Sequence, residues 1–194
     1  MHSVMLFKVK TEIQKQWDAG FLDVVYYPQC VDNVVVVPKK DGKIRVCVDY
    51  RDLNKASSKN DFPLPYIDIL VDNVTKGAIY SFIHEFSGYN HIKMTEEDKE
   101  KTTFVTPWGT FCYKVMPFGL KIINAMYQRA MVTLFHDMMH QEMEVYVDDI
   151  LVKSNKEEDH VQVLRKIFER LQKYQLRLNR AKCSFKVRVG NWVL

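Results

Sequence analysis

Nine residues constrain this chain more than any other stretch: Glu144-Val145-Tyr146-Val147-Asp148-Asp149-Ile150-Leu151-Val152. Val, Ile and Tyr favour strands, and the two acids stand where the apolar run breaks. The pattern predicts a β-hairpin with Asp148 and Asp149 at its tip. Adjacent carboxylates repel, so one of them is pushed toward protonation unless a cation neutralises the pair. Oxygen ligands of this kind suit Mg²⁺. An Asp-Asp turn also occurs between strands with no metal at all, because Asp is common in turns. The dipeptide alone leaves both readings open.

The rest of the chain supports a folded domain. Hydrophobic residues make up 47% of 194 positions, which provides a core, and no apolar run reaches the length of a membrane span. No membrane partner is expected, and Met1 to Leu6 is too short for a signal peptide. The four cysteines (Cys30, Cys47, Cys112, Cys183) form no Cys-x-x-Cys pair, so buried thiols in a reducing compartment are expected rather than a zinc site. A net charge of +4 permits a nucleic-acid partner without demanding one.

Read in order, Lys8 to Ala19 has a helical period in Val9, Ile13 and Trp17, with Gly20 placed to end it. Phe21 to Asp32 reads as irregular. Val34 to Val37 and Ile44 to Tyr50 flank Lys39-Lys40-Asp41-Gly42-Lys43, and Asp-Gly is a strong hairpin signal. Lys39, Lys40, Lys43 and Arg45 then surround one tip, either as a solvated charged hairpin or as a clamp for a polyphosphate or nucleic-acid backbone. Arg51 to Pro65 reads as a linker, Tyr66 to Asn73 as a short helix, and Ala78 to Ile83 as a strand. Glu96 to Lys101 reads as a charged loop or single helical turn, and Thr102 to Val115 as a second hairpin around Pro107-Trp108-Gly109. A helix is predicted from Asn124 to His140, with Met126, Ala130, Leu134 and Met138 on one side. Ser154-x-x-Glu157 fits a capping box for a helix to Tyr174, with Val161, Leu164, Phe168 and Leu171 inward. Lys182 to Val187 is a last strand. His2, His91, His136, His140 and His160 show no ligand-like spacing.

Seven segments carry a resemblance when taken together. They are Pro38-Lys39-Lys40-Asp41-Gly42-Lys43, Val48-Asp49-Tyr50-Arg51-Asp52-Leu53-Asn54, Phe62-Pro63-Leu64-Pro65, Phe86-Ser87-Gly88-Tyr89, Lys101-Thr102-Thr103-Phe104, Val115-Met116-Pro117-Phe118-Gly119-Leu120 and Tyr146-Val147-Asp148-Asp149. In this order they resemble the polymerase domain of Ty3/gypsy-class retrotransposon reverse transcriptases, in particular those of plants. The resemblance covers about Val9 to Phe185.

That resemblance implies an α+β, fingers-and-palm polymerase fold, with an antiparallel palm sheet backed by helices. Residues 1–83 would be mainly the N-terminal helix and fingers, with the fingers hairpin at 34–50. Residues 78–185 would be mainly palm, with finger-like elements inserted. Residues 186–194 would begin the primer-grip region, all within one reverse transcriptase domain. The thumb, ribonuclease H, protease and integrase are expected to be missing, as in a fragment of a pol polyprotein. The implied partners are an RNA or DNA template with its primer, and a deoxynucleoside triphosphate. The implied compartment is intracellular, a cytoplasmic virus-like particle or the nucleus. Lys39, Lys40 and Arg45 would contact the triphosphate. Tyr89 would screen out a 2′-hydroxyl, Phe118 would line the nucleotide pocket, and Arg51 would meet the template.

The implied chemistry is nucleotidyl transfer with two Mg²⁺ ions about 3.5–4 Å apart. It needs at least three carboxylates. Asp148 and Asp149 provide two, and the family places the third five residues before the sugar-screening Tyr. Here that position is His84. A neutral imidazole lacks the charge and the bridging capacity of a carboxylate, and it is a poorer partner for hard Mg²⁺. Impaired catalysis is therefore expected. Glu85 would serve as a ligand only if a bulge turned it inward, since neighbouring strand residues face opposite sides. A second departure is Lys121-Ile122-Ile123-Asn124-Ala125-Met126, bulky where the family is small and Gly-containing. Four readings stay open: an impaired polymerase, a working one rescued by Glu85 or Mn²⁺, a non-catalytic nucleic-acid-binding remnant, and a gene copy that makes no stable protein.

Overall fold

The computed structural model describes residues 3–39, 42–58, 62–63, 65–74, 77–85 and 88–188. Along the chain these form α1 (Ser3–Asp18), β1 (Leu22–Val24), β2 (Asp32–Pro38), β3 (Ile44–Val48), α2 (Arg51–Ala56), α3 (Ile67–Val74), β4 (Ile79–His84), α4 (Glu96–Lys99), β5 (Phe104–Thr106), β6 (Gly109–Tyr113), α5 (Ile123–Phe135), β7 (Met143–Tyr146), β8 (Asp149–Ser154), α6 (Glu157–Lys173) and β9 (Ser184–Arg188). No described helix is long and apolar enough to cross a membrane. The chain divides into two units, Met1–Lys59 with Tyr89–Ile123, and Asn60–Gly88 with Asn124–Leu194.

The first unit holds a five-stranded sheet in the order β1-β6-β5-β2-β3. Its β2–β3 hairpin is antiparallel from Val34↔Val48 to Pro38↔Ile44, while β2 and β5 run parallel. Strand alternation buries Ile44, Val46 and Val48 and turns Arg45 outward. α1 lies against β3 and buries Val9 and Ile13. It ends at Asp18, and Gly20 in the turn just beyond has a φ of +74°, a conformation that favours glycine. Two expectations are corrected here. The supposed linker at Arg51 opens with α2, because Leu53, Lys55 and Ala56 are good helix formers and Asn54 ties the helix down. The Asn54 amide donates to the Gly119 carbonyl at 2.8 Å and its oxygen accepts from the Lys121 N–H at 2.7 Å. The supposed irregular stretch after Phe21 contains β1, a three-residue strand that exists through its pairing with β6.

The second unit holds an antiparallel sheet in the order β7-β8-β4-β9, as the palm expectation requires. α6 packs on β8 and β4. Its buried side is His160, Val163, Ile167 and Leu171, so the expected inward row is corrected by a fraction of a turn; Val161 and Phe168 are exposed. α5 ends at Phe135 rather than His140, and its fully buried row is Ile123, Tyr127, Met131 and Phe135. The capping box is also corrected. The residue before α6 is Lys156, with no side-chain cap. Ser154 closes β8; its hydroxyl donates to the Lys156 carbonyl at 3.3 Å and its oxygen faces the His160 ring. Only Cys112 among the four free cysteines is buried; Cys30 is exposed.

Ser81, Glu85, Gln128, Glu144, Lys153 and His160 are polar side chains buried in this unit. Lys153 and Glu144 form a buried ion pair at 2.9 Å, and Lys153 also donates to the Asn73 carbonyl. His160 stands between Ser81 on β4 and Ser154 on β8, with both ring-to-hydroxyl distances 2.7 Å. Ser81 already accepts from the Lys186 N–H, so its hydroxyl proton is free to point at His160 Nε2. The ring is then neutral, with its proton on Nδ1 toward Ser154. Glu85, directly after β4, is 1% exposed, and neither carboxyl oxygen has a hydrogen-bond partner among the described residues.

The two titratable groups make opposite demands on pH. Burial pushes Glu85 up to about 8, and the Asp148 charge adds to this. Between the ordinary carboxylate pKa and that value the unfolded chain ionises and the folded one does not, so stability falls as pH rises. Glu85→Leu is expected to gain on the order of 2–4 kcal/mol more at pH 9 than at pH 5, read by urea unfolding. Burial lowers the His160 pKa. Its contribution is complete above the unfolded imidazole pKa and is lost as pH falls below it. His160→Gln is expected to flatten the acid limb of the stability curve. An unchanged limb would remove His160 as its cause.

Candidate active site

The β7–β8 hairpin pairs Tyr146 with Asp149 and closes through Val147 and Asp148 alone. Two-residue hairpin loops of the primed types need positive φ, and Val147 has φ +50°. A β-branched residue there is strained, at about 1–3 kcal/mol. Gln128 on α5 holds the strained turn. Its side chain is fully buried, its amide donates to the Val145 carbonyl at 2.9 Å, and its oxygen accepts from the Val147 N–H at 2.9 Å. One helical side chain thus satisfies the backbone on both sides of Tyr146. Asp148 is half-buried and Asp149 is exposed.

Antiparallel pairing of β4 with β8 sets His84 opposite Asp149. His84 Nδ1 lies 2.8 Å from Asp149 Oδ1, and Lys182 Nζ lies 3.4 Å from His84 Nε2. An ammonium only donates, so Nε2 accepts. The ring is neutral, and Nδ1–H donates to Asp149. Asp148 accepts the Glu85 N–H through its backbone carbonyl at 3.1 Å. Burial raises the Asp148 carboxyl above the usual range. The Asp149 charge adds to that rise, and the Lys182 ammonium opposes it.

Glu85 faces the buried side, opposite His84, as strand alternation dictates. The β4–β8 register runs unbroken to His84↔Asp149, so the bulge that would turn Glu85 toward the acids is absent from it. Glu85 instead lies by Tyr127 and Gly88: a Cβ on Gly88 would collide with the Tyr127 hydroxyl and with the Glu85 carboxyl, 2.5 Å from Oε2. The Tyr127 hydroxyl is also without a partner among the described residues.

A pair of Mg²⁺ ions does not fit this donor set. Both imidazole nitrogens are engaged, one as donor to Asp149 and the other as acceptor from Lys182. Two carboxylates remain, one of them already hydrogen-bonded. Among the described residues no three His, Cys, Asp or Glu side chains converge to hold a metal.

The other candidate residues belong to the first unit. The Arg45 guanidinium sits over the Phe118 ring at 5.2 Å, and the Phe118 and Tyr89 rings are 6.2 Å apart. These three therefore form one cationic and aromatic cluster. Lys39 is exposed at the hairpin end, where its N–H donates to the Lys43 carbonyl. Lys40, with Asp41, lies outside the described residues, as do Phe86, Ser87 and residues 189–194. Arg51 is exposed, and its guanidinium is held by Asp49 at 2.6 Å. Sequence reasoning missed Gln128 and Lys182. Gln128 left a faint signal, a polar residue beside the buried α5 row; Lys182 was masked by a run of bases.

The description "Reverse transcriptase (RNA-dependent DNA polymerase)" belongs to the family model that matches residues 37–192. Two polyproteins of Schizosaccharomyces pombe, transposons Tf2-7 and Tf2-3, are each 35% identical over 152 residues, 78% of this chain. The chain spans 11% of the length of either relative. Among solved structures, native prototype foamy virus protease-reverse transcriptase superposes with TM-score 0.82 at 23% identity, covering 89% of this chain and 23% of that one. The foamy viral enzyme in complex with an RNA/DNA hybrid superposes with TM-score 0.86 at 20% identity, covering 95% and 25%. The α+β fingers-and-palm fold is thus shared, and the chain belongs to the reverse transcriptase family.

Proposed function

We propose that this domain descends from a polymerase that adds deoxynucleotides to a primer 3′-hydroxyl on an RNA or DNA template, and that its own nucleotidyl transfer is impaired. The single observation behind the second half is His84 Nδ1 at 2.8 Å from Asp149 Oδ1. The position facing the acidic turn holds a neutral donor where a third carboxylate is needed. Loss of a bridging ligand costs several kcal/mol in the transition state, and each ~1.4 kcal/mol is tenfold in rate. The two-Mg²⁺ chemistry expected from the resemblance lacks its ligand set here, and so does rescue by Glu85, whose carboxyl is buried on the other face.

What this chain retains are binding groups. Arg45, Phe118 and Tyr89 offer a cation and two rings to a nucleotide, with Lys39 at the hairpin end. Solved foamy viral relatives are in complex with double-stranded DNA and with an RNA/DNA hybrid, which supports a primer–template as the partner. A Ty3/gypsy element, of plant type by its motifs, and a pol polyprotein as the parent fit the order of the seven segments. An intracellular site of action goes with that parentage.

The test is primer extension. The unaltered chain is expected to add no nucleotide above background with Mg²⁺. His84→Asp is expected to raise extension at least about tenfold, the effect of ~1.4 kcal/mol. Extension by the unaltered chain at an ordinary rate with Mg²⁺ would defeat the reading. Extension with Mn²⁺ alone would favour the compensated-polymerase alternative.

A further inference from the structure

We infer that Lys182, acting through His84, is a built-in counter-ion for the Asp148–Asp149 turn, and that this domain keeps its acidic turn ordered without a divalent cation. The inference rests on the family reading of that turn. Three observations carry it.

The first is charge. Adjacent carboxylates at a hairpin tip repel, and an ordinary answer is a bound cation. Here the Asp149 carboxylate meets one N–H donor, and the Lys182 ammonium stands behind that ring, near enough for its charge to act on Asp148. The chain Lys182 Nζ–His84 Nε2, then His84 Nδ1–Asp149 Oδ1, links cation to carboxylate across a single ring at 3.4 and 2.8 Å. With the ammonium donating to Nε2, Nδ1–H points to the carboxylate and both ring nitrogens are occupied.

The second is placement. Lys182 ends a 3-10 turn, Arg180–Lys182, that is fastened to the residue it serves. The Asn179 N–H donates to the His84 carbonyl at 2.9 Å, and the Lys182 N–H donates to the Asn179 carbonyl at 2.9 Å. Leu178 forms a bridge with Glu85. The lysine head is exposed, but its backbone is tied to the end of β4. The third is what surrounds it. Lys186 and Arg188, on β9, are spent on Glu157, so the ion pairs beyond Lys182 are directed away from the turn.

The experiment is thermal unfolding of the full chain in EDTA and in millimolar Mg²⁺, with Mn²⁺-induced water-proton relaxation as a direct reading of ion binding. Nucleic acid is absent throughout. The unaltered chain is expected to have the same Tm in both buffers and to give no relaxation change that Asp148→Asn removes. Lys182→Ala is expected to lose ~2–4 °C in EDTA, the size of an ordinary exposed charge pair in a domain of this length, and to regain part of it with Mg²⁺. His84→Asp is expected to acquire Mn²⁺ binding. If His84→Asp does not fold, Lys182→Gln gives the same relaxation reading. Mn²⁺ binding by the unaltered chain that Asp148→Asn abolishes would overturn the inference, and so would a Lys182→Ala chain indistinguishable from the parent in both buffers. Primer extension, measured separately, bears on the functional reading, so the two failures are told apart.

Discussion

The register of β4 on β8 is the constraint from which the acidic end of the second unit follows. Because Ile79 stands opposite Ser154, His84 must stand opposite Asp149. The imidazole then has no choice of partner, and its second nitrogen faces whatever the next strand's approach delivers, which is Lys182. The same alternation sends Glu85 to the other face. One register therefore decides three matters at once: which acid is hydrogen-bonded, which carboxylate is unavailable, and where the nearest cation sits.

The inward course of Glu85 has its own consequence. Its carboxyl and the Tyr127 hydroxyl lie beside Gly88, and none of these oxygens has a hydrogen bond among the described residues. Unpaired buried polar groups cost about 1–3 kcal/mol each. Gly88 is required by close approach rather than by backbone angle, since a methyl group there would strike both side chains. The carboxyl escapes the larger cost of burying a charge by remaining protonated. It is thus unsuited to binding a cation for the same reason that it can be buried.

Legibility in the sequence followed locality. The three hairpins and α6 could be read from turn signals and local periods, whereas the antiparallel palm sheet came only with the family resemblance. β1 could not, since three residues become a strand only when β6 lies beside them. α2 was hidden inside a stretch judged by its prolines. The rows on α5 and α6 were off by a fraction of a turn, because several apolar residues compete for the inward position and Tyr127 and His160 take it with polar atoms included. At the site, Asp148 and Asp149 were legible as a pair, and His84 as a departure by counting from Tyr89. Gln128 and Lys182 act across 19 and 98 residues of sequence. No window on the chain contains both partners.

Gln128 and Lys182 also divide the work at the turn. Shape belongs to Gln128, which satisfies the backbone at Val145 and Val147 and holds a β-branched residue at φ +50°. Charge belongs to His84 and Lys182. Neither device requires an ion: the first is a pair of amide hydrogen bonds in a buried setting, the second a donor chain ending on a carboxylate. On the proposed reading, a turn built this way would keep the outline of a metal-dependent centre after one of its acids had gone. Strain at Val147 is tolerable because a buried amide that makes two good hydrogen bonds offsets it, and that bond pair is indifferent to what stands at position 84. Retention of the fold around Tyr146 to Asp149 is therefore no measure of retained chemistry, and the two must be separated residue by residue.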